Sequence, residues 1–99
     1  MNNKFNLYRE TLVKNTITEI KFNTPAYEAI VKNFTSGDLR VFCGSDISEY
    51  SDTQSILIEA GMGQVVFINN INNGSEDSFD RLFFKSDNGG NIEVQVIGF

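Results

Sequence analysis

The sequence predicts an all-β fold: an antiparallel β-sandwich of about seven or eight short strands, with the jelly roll among its candidate forms. Three observations carry this expectation. Apolar residues recur with a period of two in segment after segment, the periodicity of a strand with one buried face. Glycines at positions 37, 44, 61, 63, 74, 89 and 90 divide the chain into pieces of typical strand length. β-Branched and aromatic residues fill those pieces, including nine Phe and three Tyr but no Trp, and such residues fit a pleated, half-buried surface.

Taken in order, the opening residues MNNKFNLYRE are polar, with spaced Phe5, Leu7 and Tyr8. They are set apart as an N-terminal arm (1–10), leaving 11–99 as one domain. NTITEIKFN alternates, placing Ile20 and Phe22 opposite Glu19 and Lys21. The only proline, Pro25, marks a turn. AIVKNF and LRVFC flank Thr35-Ser36-Gly37-Asp38, which predicts a hairpin. Within DLRVFC, Leu39, Val41 and Cys43 share one face and Arg40 and Phe42 the other, so the lone cysteine points inward as a small hydrophobe. SILIEAG sets Ile56 and Ile58 against Leu57 and Glu59. GQVVFI is apolar on both faces, the pattern of a central strand. SEDSFDRLFF has Phe79, Leu82 and Phe83 at helical spacing, but its shortness favours a loop followed by the strand RLFFKS, which places Leu82 and Phe84 together against Arg81, Phe83 and Lys85. Asp87-Asn88-Gly89-Gly90 predicts a hairpin into the last strand, where Ile92, Val94 and Val96 oppose Glu93 and Gln95.

Composition removes several function classes. Ninety-nine residues make one domain. Eight basic residues are scattered among thirteen acidic ones, for a net charge of −5. A nucleic-acid backbone requires clustered cations to displace its counterions, and an anionic membrane surface requires a basic patch, so neither partner is expected. One cysteine allows no internal disulfide. The first residues lack the apolar core of a secretion signal, so the chain is expected to be made in the cytoplasm. With no histidine, Ser-His-Asp and Cys-His catalysis are out of reach, and one cysteine cannot build a zinc site. No enzymatic activity is expected.

The remaining candidates are acids and aromatics. Asp46, Glu49 and Asp52 lie in one polar loop and Glu76, Asp77 and Asp80 in another. As hard oxygen donors the first three form a candidate Ca²⁺ site; otherwise no cofactor is expected. Tyr27 and Tyr50 are candidate stacking platforms for a ligand such as a sugar. Ile97 and Phe99 fall on the otherwise polar face of the last strand, and something must cover them: another subunit or the folded-back arm. Asn33-Phe34-Thr35 and Asn73-Gly74-Ser75 match the glycosylation triplet and are read as coincidence.

The succession AIVKNFTSGDLRVFCG, SILIEAGMGQVVFI and KSDNGGNIEVQVIGF resembles small all-β virion proteins of tailed bacteriophages. In those proteins a strand, tight turn and strand precede an I-L-I-x-A-G segment, and a G-G-x-I-E-V-Q strand closes the domain. The likeness spans roughly Ala29 to Phe99 and is one of strands and turns, so it carries over no functional residues. It implies a head-fibre, decoration or tail-associated protein located in the virion, partnered by copies of itself and by other virion proteins, commonly as a homo-oligomer. The other class that the residues allow is a small carbohydrate-binding sandwich, calcium-dependent if the acidic loop holds the ion.

Overall fold

A computed structural model describes residues 5–22, 26–68 and 81–98. They form eight strands: β1 (Phe5–Leu12), β2 (Thr18–Lys21), β3 (Ala26–Asn33), β4 (Leu39–Cys43), β5 (Ile56–Ile58), β6 (Gly63–Phe67), β7 (Arg81–Ser86) and β8 (Gly90–Gly98), with one 3-10 turn at Ile47–Glu49. Two four-stranded sheets face each other, one ordered β1-β8-β3-β6 and the other β2-β7-β4-β5. Every pairing is antiparallel. The first strand pairs with the eighth, the second with the seventh, the third with the sixth and the fourth with the fifth. This nesting is a single long hairpin rolled into two layers, the jelly roll.

The period-2 pattern decides which side chains fill the space between the layers. Ala29 and Val31 of β3, Val66 of β6, and Ile92, Val94 and Val96 of β8 point inward from the first sheet. Ile20, Leu82, Phe84, Leu39, Val41 and Ile58 meet them from the second, and all belong to one buried cluster. The phases expected for β4, β7 and β8 hold residue by residue.

Four expectations are corrected. The expected arm (1–10) is not separate from the domain over its described residues, because from Phe5 onward it is β1, in register with β8 from Phe5↔Ile97 to Leu12↔Gly90; residues 1–4 lie outside the described part. Neither expected hairpin forms. The turn after β3 and the turn after β7 each carry the chain from one sheet to the other. Turn chemistry sets a reversal locally, but whether the next strand pairs or changes layer is decided by distant partners. Finally, β6 is an edge strand and not a central one. Two apolar faces in a sequence say nothing about what lies against the outer one.

The layer-changing turns pack at one end. Gly89 and Gly90 have φ of 73° and 125°, the region that glycine alone enters freely. A β-carbon on Gly90 would lie 3.2 Å from the Thr35 backbone, and one on Gly89 would lie 3.0 Å from the Leu12 carbonyl oxygen. Asn33 ties this end together. Its Nδ2 donates to the carbonyls of Gly37 (2.8 Å) and Ile58 (2.9 Å), and its Oδ1 accepts from the Thr35 amide (2.9 Å) and hydroxyl (2.6 Å). The Asn33-Phe34-Thr35 triplet is thus an internal bracket, with Asn33 1% exposed. Asn73 lies outside the described residues.

Candidate interaction surface

The two outer faces of the sandwich differ in kind. On the β2-β7-β4-β5 sheet the outward residues are mostly charged and paired: Arg81 with Glu19 at 3.0 Å, Arg40 with Asp87 at 3.5 Å, and Lys85 with Asp52 at 3.4 Å. Its two outward phenylalanines, Phe42 and Phe83, are buried. Tyr50, from the loop between β4 and β5, packs edge-on against Phe42 with ring centroids 5.5 Å apart. Phe42 in turn contacts Phe83 at 6.3 Å. This is a satellite cluster under a long loop, and it occupies the Tyr50 ring expected to serve a ligand.

The acids of that loop are engaged locally. Asp46 caps the 3-10 turn, accepting from the Ser48 amide (2.9 Å) and hydroxyl (2.6 Å). Glu49 accepts from the Ser45 amide at 2.8 Å. Asp52 takes Lys85. Among the described residues no group of three or more acids, cysteines or histidines is gathered where it could hold a metal, so Asp46, Glu49 and Asp52 do not converge as the expected Ca²⁺ site. The Ser48 bonds hold the Asp46 carboxyl below its ordinary value. Asp52 is lowered first by the Tyr50 hydroxyl and then by Lys85 and Arg40. The Tyr50 hydroxyl itself is buried without a well-formed hydrogen bond, and that burial pushes it up to about 12.

On the opposite face, Arg9 at 3.0 Å and Lys32 at 3.5 Å both reach Glu93 and hold its carboxyl low, Arg9 foremost. A carboxyl depressed by folding adds stability above its unfolded pKa, and this is lost as pH falls through the folded value. With Asp46, Asp52 and Glu93 all depressed, the melting temperature should be level near neutrality and fall below the ordinary carboxyl values of 3.8 and 4.5. Thermal melts from pH 7 to pH 3 check this; a melting temperature that rose on acidification would contradict it.

Cys43 lies against the core as its phase predicted, half-buried, with its thiol donating to the Ile68 carbonyl at 3.0 Å. Desolvation pushes its pKa up to about 12. The thiolate is the nucleophile, so native protein should react with iodoacetamide at neutral pH at least about a hundredfold more slowly than urea-unfolded protein. Comparable rates would show that the thiol is not shielded.

The outward positions of the β1-β8-β3-β6 sheet give the apolar surface. Register aligns Leu7, Gln95, Ile30 and Val65 in one row across the four strands. The next row runs through Ile97, Glu28 and Phe67. Leu7, Val65, Phe67 and Ile97 are 46%, 47%, 71% and 38% exposed. At the other end of the same face, Arg9, Phe34 and Glu93 line a shallow depression of about 330 Å³. Of the residues singled out for an interface, Ile97 is therefore on this surface. Phe99 lies outside the described residues. Tyr27 is in β3, where register shifts between Ala26 and Glu28, and its side chain lies outside the described part. Sequence reasoning missed Leu7, Ile30, Val65 and Phe67. Their signal was present as apolar residues out of phase with the core. No protein-family model matches the chain, and no curated protein matches it.

Proposed function

We propose that the protein is a non-enzymatic structural protein of a bacteriophage virion, of the head-fibre, decoration or tail-associated kind, that assembles with copies of itself and other virion proteins through its β-sandwich. The observation that carries this reading is the apolar outer face built by Leu7, Ile30, Val65, Phe67 and Ile97. Contiguous exposed apolar surface marks an interaction site more often than an idle one. The jelly roll is a frequent fold of particle-forming proteins, an argument by analogy that supports the class without naming the member. Mass spectrometry of particles purified from a lysate containing the gene tests it. The chain should be present at a fixed copy number relative to the major capsid protein. Its absence from intact particles, with free protein in the supernatant, would overturn the assignment.

A further inference from the structure

The four edges of the two sheets are not equally protected. An edge strand offers unpaired amides and carbonyls to any other chain, and proteins guard such edges with charge, proline, bulges or brevity. At one edge β1 carries Arg9 and Glu10, and β2 carries Glu19 and Lys21. β5 is only three residues long. β6, GQVVF, has five residues and neither a charge nor a proline. Its bulge lies just outside it: Gly61, with φ of 79°, donates to the Asn33 carbonyl while the Asn33 amide donates to Met62, both at 2.9 Å.

That bulge fixes the hydrogen-bond phase of the strand. Asn33 is a bonded position, and bonded and non-bonded pairs alternate along an antiparallel ladder. Val31↔Gln64 and Ala29↔Val66 are then the bonded pairs. The amides and carbonyls of Gly63, Val65 and Phe67 consequently point away from β3. Among the described residues no strand lies against that side of β6.

We propose that this edge pairs with the β6 edge of a second copy, antiparallel about a two-fold axis at Val65, joining two four-stranded sheets into one of eight. The strand is self-complementary in this register. Val65 meets its own counterpart and exchanges both backbone bonds with it. Gly63 meets the Phe67 position of the other copy, so each exposed phenylalanine lies over a glycine that has no side chain to obstruct it. The flanking rows agree. Ile30 borders Val65 on both sides of the axis, making the four central positions of that row apolar, with Gln95 next beyond on either side. In the outer rows each subunit's Glu28 borders its own Phe67 and each subunit's Lys32 borders its own Gly63, so the facing Phe67 and Gly63 are flanked by Glu28 of one copy and Lys32 of the other. Phe67, 71% exposed among the described residues, gains a neighbour. The inference deepens the assembly reading above and rests on it for the identity of the partner as a second copy.

Light scattering behind size exclusion, over a dilution series of the full chain, tests the pairing. The expected result is a dimer. Val65→Pro removes an amide that serves only the free edge, and proline is tolerated at such positions. Val65→Lys sets two like charges on the axis. Val65→Pro should raise the dissociation constant roughly thirtyfold, the worth of two backbone bonds. Val65→Lys should weaken the dimer at least as much. Both variants should keep the wild-type circular dichroism spectrum. Val65→Cys should crosslink under mild oxidation, because facing α-carbons in a bonded pair are about 5.5 Å apart, within disulfide reach. Leu57→Cys, on the exposed edge strand β5, should not. A monomer at every concentration, open-ended growth, or an oligomer whose mass survives both Val65→Pro and Val65→Lys would overturn the pairing. The last of these leaves assembly through another surface intact, and absence from phage particles would count against the function without touching the dimer.

Discussion

Replacing Asn33 with alanine is expected to cost about 3–4 kcal/mol of folding stability. One side chain satisfies the Gly37 and Ile58 carbonyls and the Thr35 amide, all at an end where four connections converge. Alanine leaves the buried Ile58 carbonyl and Thr35 amide without that partner, while the part-buried Gly37 carbonyl keeps only the Thr35 hydroxyl at 2.9 Å, and an orphaned buried group costs about 1–3 kcal/mol. Against the roughly 5–15 kcal/mol that holds a domain folded, this is a large fraction. Asn33→Asp should fare little better, since a carboxylate keeps the acceptor role but cannot donate to two carbonyls. Urea unfolding followed by circular dichroism reads both. A loss below about 1 kcal/mol for Asn33→Ala would mean that water replaces the bracket.

The second large effect is expected at Phe84, fully buried between the sheets. Phe84→Ala removes most of a large ring from a close-packed layer and should cost about 3–5 kcal/mol, the sum of lost transfer energy and the cavity left behind. Phe67→Ala deletes the same ring from a site exposed in the single subunit and, at protein concentrations where the chain is monomeric, should change stability by no more than about 0.5 kcal/mol. The pair separates core from surface with identical chemistry. If Phe67→Ala destabilised the protein as Phe84→Ala does, the β6 face would be covered within one subunit, and the interaction surface would lose its basis.

Strand identity and facing were legible in the sequence because they depend on neighbours two residues apart. Leu39 and Val41, Leu82 and Phe84, and Ile92, Val94 and Val96 all took the side their period assigned. What lay beyond reach depends on residues far away in the chain. Asn88-Gly89 specifies a tight reversal, and the reversal is there. That β8 leaves β7 behind to lie between β1 and β3 is dictated by the whole nested arrangement. Gln64-Val65-Val66-Phe67 reads as a strand buried on both faces, and only the sheet order exposes it as an edge. The acidic loop misled for a related reason. Asp46, Glu49 and Asp52 are close in sequence, yet each turns to a different partner, Ser48, Ser45 and Lys85. Asn33-Phe34-Thr35 carried its meaning in plain view but in the wrong vocabulary, since the same amide that would accept a glycan is the one that fastens the rim.

The nesting of β1 with β8 has a consequence for how the chain acquires its shape. The ladder that begins at Phe5 is completed by residues some ninety positions later, so the first strand synthesised waits for the last before its sheet can close. Such distant pairing is slow, on the order of milliseconds to seconds. During that wait the ribosome-bound chain carries its most adhesive strand, β6, unaccompanied by β8. Closure of this sheet therefore follows the synthesis of β8, and crowding of nascent copies on one polysome is the moment of greatest danger to yield.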